Sequence, residues 1–311
     1  MPKSIPGKTG FKHPKFAPLT LDFTFKRAFA NERSKNLLLF LLNAFLAEKL
    51  KHPIKEVKIG RNELLGRTMR KRGAFFDVYC EDASGARFIV EIQVKDQEHF
   101  IARTFFYLCM IISNLAKKGK KYDFNIPKLY SISFLDFDLD FGKNCTEVVQ
   151  HLSMRNDKHL EVCYDMLRMT FVILPRFKKS ESECKTITDK ILFSMKNGHK
   201  LKGVPKSFKE KEFREIFEIS KVSNFTDVEL AKYEEAMMNR YDYEATIAYA
   251  EKKGEKRGIG IGERRGIGIG EKRGVGKGVL RTAVSMLKDG LEPARVARIT
   301  KLPKKQIIAL R

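Results

Sequence analysis

Asp77 and Glu91 lie on two apolar runs, 74–81 (AFFDVYCE) and 87–95 (RFIVEIQVK), joined by Asp82-Ala83-Ser84-Gly85-Ala86, a cluster of turn-forming residues at hairpin length. A hairpin symmetric about Ser84 sets Asp77 opposite Glu91, Tyr79 opposite Ile89 and Phe75 opposite Gln93. Side chains alternate along a strand, so Phe76, Val78, Cys80, Phe88, Val90, Ile92 and Val94 form an apolar core face. The other face carries Phe75, Asp77, Tyr79, Glu81, Arg87, Ile89, Glu91, Gln93 and Lys95. Opposed strand residues hold their Cβ atoms about 5 Å apart, where like charges destabilise a sheet. The Asp77–Glu91 pair therefore calls for a cation. Hard oxygen donors at this spacing suit Mg²⁺, with Mn²⁺ as a substitute, because these ions take one or two carboxylates and fill their shell with water and phosphate oxygens. The chemistry this permits is phosphodiester hydrolysis by a metal-activated water. The plainer reading is a solvated sheet face carrying scattered acids.

Those residues need a scaffold, and the flanking sequence supplies one. Thr20 or Asp22 is a candidate N-cap for a helix at Leu21–Phe29, which places Asp22 and Lys26 one turn apart, the spacing of an ordinary i, i+4 ion pair. A Leu-rich buried helix is predicted over 33–50 and a strand over 54–59. The basic run 67–72 (RTMRKR), with Arg70 and Lys71, leads into the hairpin. After it, 97–118 reads as an amphipathic helix with Phe100, Phe106, Tyr107, Met110, Ile111 and Leu115 toward the core, and Arg103 on the same face as Tyr107. The segment 128–137 (KLYSISFLDF) reads as a buried strand, and 165–175 is a candidate for one more. Helix, strand, hairpin, helix and strand in this order predict an α/β layered core.

The chain has 311 residues, 43% of them hydrophobic, enough for a substantial core. Its longest apolar run, within NLLLFLLNAFL, is broken by Asn43 and is too short to span a bilayer, and the N-terminus lacks the apolar segment of a signal peptide. The five scattered cysteines include no CxxC pair and read as reduced cytoplasmic thiols, not a zinc site, and no membrane partner is expected. The net charge of +23 is concentrated toward the ends: residues 252–311 hold 17 Lys+Arg against 5 Asp+Glu. Such basic segments select a polyanion, with double-stranded DNA favoured over an acidic membrane surface.

The repeats GEKRGIGI, GERRGIGI and GEKRGVGK begin at Gly254, Gly262 and Gly270. A phosphate loop is excluded, since no strand precedes the repeat and no GK[ST] follows, so no nucleotide cofactor is expected. On a helix the ten glycines would form a ridge for close pairing, at a cost on the order of 10 kcal/mol relative to alanine. A flexible basic tether is the expected state. Beyond it, residues 279–311 read as three short helices, with Val296, Ala297, Leu302 and Ile307 buried and Lys304, Lys305 and Gln306 exposed, as in a helix-turn-helix. Lys301 stands where that motif usually has its turn glycine, and a small docking or dimerisation module fits the same pattern. A homodimer is compatible with either form.

The stretches LDFTFKRAF (21–29), LLLFLLNAFL (37–46), FFDVYCEDASGARFIVEIQVK (75–95), FIARTFFYLCMII (100–112) and KLYSISFLDF (128–137) resemble the Rpn family of recombination-promoting nucleases and transposase-like proteins, a branch of the PD-(D/E)XK nuclease superfamily. The resemblance implies a PD-(D/E)XK restriction-endonuclease-like core, a mixed sheet flanked by helices, with a helical C-terminal extension. It implies Asp77 and Glu91 as metal ligands, Asp22 as the extra acid from the first helix, and Gln93 where the superfamily usually has lysine. Glutamine carries no charge, so Lys95, Lys26 or Arg103 is left to stabilise the transition state. The expected organisation is a basic disordered arm (1–18), a nuclease-like domain (19–179), a helical extension (180–253), the Gly-rich tether (254–278) and the terminal helical module (279–311). The expected function is a Mg²⁺-dependent DNA endonuclease acting in recombination, with Lys26, Arg70, Lys71, Arg103, Lys304 and Lys305 meeting DNA. A catalytically silent DNA-binding or assembly protein on the same fold is the alternative.

Overall fold

The computed structural model describes residues 13–50, 52–60, 76–96, 98–115 and 126–310. Arg70, Lys71, Phe75 and the first twelve residues lie outside the described residues. In chain order the elements are α1 (Asp22–Phe29), α2 (Lys35–Leu46), β1 (Val57–Ile59), β2 (Val78–Asp82), β3 (Arg87–Gln93) and α3 (Phe100–Leu115). There follow β4 (Leu129–Leu135), β5 (Val149–Arg155), β6 (Val162–Ile173), α4 (Ile187–Asn197) and α5 (Lys211–Ser220), then α6 (Asp227–Lys288), α7 (Pro293–Thr300) and α8 (Lys304–Ile308). No helix among the described residues is long and apolar enough to cross a membrane.

One six-stranded sheet runs β1-β2-β3-β4-β6-β5. Its centre is parallel, with β3 beside β4 and β4 beside β6, while β1, β2 and β5 run antiparallel to their neighbours. The hairpin has the expected register, Val78 opposite Val90 and Tyr79 opposite Ile89. Its turn closes on the Asp82 carboxylate, which accepts from Ser84 N–H at 2.9 Å and Ala86 N–H at 3.0 Å, while Gly85 takes φ +85°, a conformation other residues resist. Helix α3 links β3 to β4, since parallel neighbours need a long crossover.

Both faces of the sheet are covered. Val78, Cys80, Phe88, Val90, Ile132 and Phe134 pack against Phe25, Leu38, Leu41 and Phe45 of α1 and α2. Tyr79, Ile89 and Leu129 pack on the other side against Leu108 and Ile111 of α3. The solvated-face reading of the hairpin therefore fails: Ile89 is 2% exposed. Phe76, expected on the core face, joins the α3 cluster instead, because regular strand geometry begins only at Val78. On α3 the buried stripe is Phe100, Thr104, Leu108 and Ile111, at i, i+4, i+8 and i+11, which turns Phe106 outward at 59% exposure and corrects its expected place in the core.

Three further expectations change. Residues 13–18 are packed, not disordered: Ala17 N–H donates to Ser220 O at 2.7 Å and Phe16 is buried. Helices α4 and α5 belong to the main core, where Leu192, Phe193, Phe213 and Ile216 join Leu37 and Phe134, so the chain divides into compact units 1–240 and 241–311 and no boundary falls at 179. Strand β5 (VQHLSMR) was not expected, because a half-exposed edge strand of mixed polarity lacks a clean alternation.

In the second unit, Ala283 of α6, Val296 of α7 and Ile307 of α8 form a small core edged by Ala297 and Leu302. Lys301 ends α7 at φ +57°, the left-handed conformation for which glycine is usual, and Lys304, Lys305 and Gln306 are exposed. The repeat at 254–278, expected as a tether, is helical throughout. Well-formed helix lies on both sides of it, so extension through the glycines needs no new nucleus. A Cβ built on any of the ten glycines would meet nothing within 4 Å.

Candidate active site

The C-terminal ends of the parallel strands β3 and β4, where open α/β sheets bind ligands, gather the acidic residues. Asp77 stands just before β2, and its Oδ2 accepts from the Ile92 N–H of β3 at 2.8 Å, which fixes the carboxylate beside Glu91. Its Oδ1 lies 3.0 Å from Lys26 Nζ. The same ammonium lies 2.6 Å from Asp22 Oδ1, so Lys26 bridges two carboxylates. Helix α1 can present this pair because Phe25, Ala28 and Phe29 anchor its opposite side in the core. Leu21 occupies the N-cap without a side-chain bond, so neither Thr20 nor Asp22 caps the helix: the Thr20 hydroxyl is held elsewhere and Asp22 turns to Lys26.

Burial pushes the Asp77 carboxyl up to about 6, aided by Asp22 and opposed by the Ile92 N–H and Lys26. Burial pushes Glu91 up to about 7, with the Asp77 charge adding to the rise and Arg103 and Lys26 restraining it. Burial acts to lower Lys26, but its bonds to Asp22 and Asp77 outweigh that and raise it. Burial and mutual repulsion thus disfavour the charged form of both carboxyls.

Gln93, half-buried at the end of β3, donates from Nε2 to Lys95 O at 3.0 Å. Lys95 is exposed, and Arg103 lies over the Phe100 ring at 5.4 Å. Lys304 and Lys305 belong to the second compact unit. Of the predicted residues the structure therefore brings together Asp22, Lys26, Asp77 and Glu91, with Gln93 and Arg103 at the margin.

Sequence reasoning missed a supporting layer. Asp136, just past β4, donates its N–H to Gln93 O at 2.9 Å, and its Oδ2 accepts from Arg240 at 2.8 Å. Arg240 also donates to Thr20 Oγ1 at 2.9 Å, which ties α6 to the residues before α1. Asp136 at the end of an apolar strand was a visible signal, whereas Arg240 sits in a polar helical run that gave none.

Among the described residues no group of three or more His, Cys, Asp and Glu side chains forms a metal cluster. Mg²⁺ does not require one, since it takes one or two carboxylates and keeps several waters. Two half-buried carboxylates, each raised in part by neighbouring negative charge, are an all-oxygen donor set whose repulsion a divalent ion would relieve. The donor set fits the ion.

The family model for the PD-(D/E)XK nuclease family transposases matches residues 19–250, about three-quarters of the chain. The chain belongs to this family. No curated protein and no solved structure matches it. The mixed sheet flanked by helices is the PD-(D/E)XK restriction-endonuclease-like core, and the match takes in every residue of the acidic cluster. It ends before the Gly-rich repeat and the terminal helices.

Proposed function

We propose that this PD-(D/E)XK protein is a Mg²⁺-dependent DNA endonuclease that acts in DNA recombination. The observation that carries the reading is the convergence of Asp77 and Glu91, both half-buried and both raised, with Lys26 beside them at the ends of β3 and β4. Asp77 and Glu91 would hold the ion, with Asp22 as a further oxygen donor; when bound it would polarise the phosphate and acidify a water. The chain's own residues do the rest. Ile92 N–H fixes one Asp77 oxygen and leaves the carboxylate oriented toward Glu91. Gln93, with Nε2 committed to Lys95 O, keeps its Oε1 to accept a hydrogen bond from the attacking water.

Lys26 supplies the positive charge that Gln93 lacks. Its ammonium reaches both Asp77 and Asp22 directly and acts on Glu91 as well, which Arg103 also restrains. A fixed cation aimed at developing phosphate charge is a large contributor to catalysis. Duplex DNA binding falls to the basic surfaces, Lys304 and Lys305 among them, and depends steeply on salt. The alternative, a silent DNA-binding protein, draws on the same Lys26: an ammonium between carboxylates is a self-contained ion pair that needs no metal. Cleavage of DNA in Mg²⁺ against EDTA, beside gel retardation of the same DNA, separates the two. Retardation without cleavage selects the silent protein.

A further inference from the structure

Asp22 and Lys26 line a second space as well as the acidic cluster. An open cleft of about 510 Å³ separates α1 from the first turns of α6, with Asp22, Phe23 and Lys26 on one wall and Lys232, Glu235 and Asn239 on the other. The α6 wall is fixed in place. Tyr233 is buried with Ala17, Leu21 and Val222, Arg27 binds Glu229 at 2.8 Å, and Arg240 holds Thr20 and Asp136. The cleft is thus a permanent feature of the first compact unit.

Two polar groups of its α6 wall are left open. Lys232 and Asn239 form no side-chain hydrogen bond or ion pair among the described residues. Seven residues apart on a helix, they share a face at about 10 Å separation. Lys26 and Arg27 of the lining are taken up by Asp22, Asp77 and Glu229, which leaves Lys232 to meet an anion. An amide such as Asn239 presents a donor and an acceptor together, the pattern that matches a base edge. The half-buried ring of Phe23 adds an aromatic surface for stacking. A space of this size matches one drug-sized or nucleotide-sized group.

We propose that the α1–α6 cleft receives one unpaired nucleotide flanking the phosphate to be cut, with Asn239 on its base edge and Lys232 on the adjoining phosphate. The proposal rests on the nuclease reading, because Asp22 and Lys26 belong to both spaces. It names the substrate class: DNA with unpaired nucleotides beside the cut, such as a fork or flap junction, since the Watson–Crick edge offered to Asn239 is used up in a paired base.

The test uses the full-length chain and two matched DNAs, a blunt duplex and the same duplex ending in a fork, with 2-aminopurine at the unpaired position next to the junction. Asn239→Ala and Lys232→Gln alter exposed side chains without partners among the described residues, and a melting curve checks that each folds. In EDTA the wild type is expected to change the 2-aminopurine fluorescence on binding, and each variant to lose most of that change. In Mg²⁺ the wild type is expected to cut the fork about tenfold faster than the blunt duplex, a preference of the size one base-edge contact gives, and the variants to lose it with blunt cleavage unchanged. Variants that keep both the fluorescence change and the fork preference overturn the cleft. If the wild type cuts neither DNA yet the fluorescence change depends on Asn239, the nuclease reading fails and the cleft stands. If it cuts both but the fluorescence is indifferent to Asn239 and Lys232, the cleft fails and the nuclease stands.

Discussion

Lys26 Nζ lies 3.0 Å from Asp77 Oδ1 and 2.6 Å from Asp22 Oδ1, so the first helix supplies a cation to the hairpin's half-buried acid. The position that usually holds a lysine in this superfamily is Gln93, whose amide is tied to Lys95 O. Lys26→Met is therefore expected to lower the cleavage rate about 10²-fold or more, the scale seen when one fixed transition-state donor is removed. Lys95→Ala and Arg103→Ala are expected to cost far less. A Lys26→Met enzyme that cuts at the wild-type rate would show that the charge comes from elsewhere.

The raised carboxyls make a pH signature in the metal-free protein. Glu91 moves from 4.5 to about 7 and Asp77 from 3.8 to about 6, so the folded state keeps protons that the unfolded chain has released. Stability rises with pH only where the unfolded state binds more protons; here it binds fewer, so these groups cost stability as pH climbs from about 4 to 7. Glu91→Gln removes much of that cost. Its melting temperature relative to wild type is expected to rise between pH 5 and pH 8 in EDTA, and Mg²⁺ at pH 8 is expected to stabilise wild type but not the variant. A difference that stays flat with pH would mean that Glu91 is not raised.

The tail makes a separate prediction. Lys304 and Lys305 are exposed at the start of α8, and if each meets a phosphate, changing both to glutamine lowers the slope of log affinity against log salt by about two. Retained DNA affinity with an unchanged slope would remove the terminal helices from the DNA-binding surface.

The Gly-rich stretch of α6 is a helix against its own propensity. Each glycine has open space where a Cβ would go, so Gly262→Ala and Gly266→Ala should each favour the helix by about 1 kcal/mol without a clash. Hydrogen exchange across 254–278 in the intact chain is expected to slow in the double variant. Exchange that remains as fast as in a coil in both proteins would restore the tether.

Much of this was legible in the sequence because the relevant signals are local. The hairpin register follows from one turn and period-two alternation, and the Asp22–Lys26 pair from helical spacing. What lay beyond reach depends on contacts distant in the chain. The Lys26–Asp77 bond joins residues 51 positions apart, Arg240 reaches back to Thr20 and Asp136, and the packing of α4 and α5 on the sheet is carried by core residues with no motif of their own. Phe106 was misplaced because a helix rich in apolar residues offers more than one stripe, and only the sheet beneath it selects which is buried.

The most direct test is nicking of supercoiled plasmid by the wild type, Asp77→Asn and Glu91→Gln in Mg²⁺ and in EDTA. The expected result is metal-dependent nicked circles from wild type only, with each variant slowed by at least about 10²-fold while still retarding the plasmid. Wild-type protein that retards the plasmid but leaves it supercoiled in Mg²⁺ and in Mn²⁺ would contradict the assignment and leave the acidic cluster as a structural ion pair around Lys26.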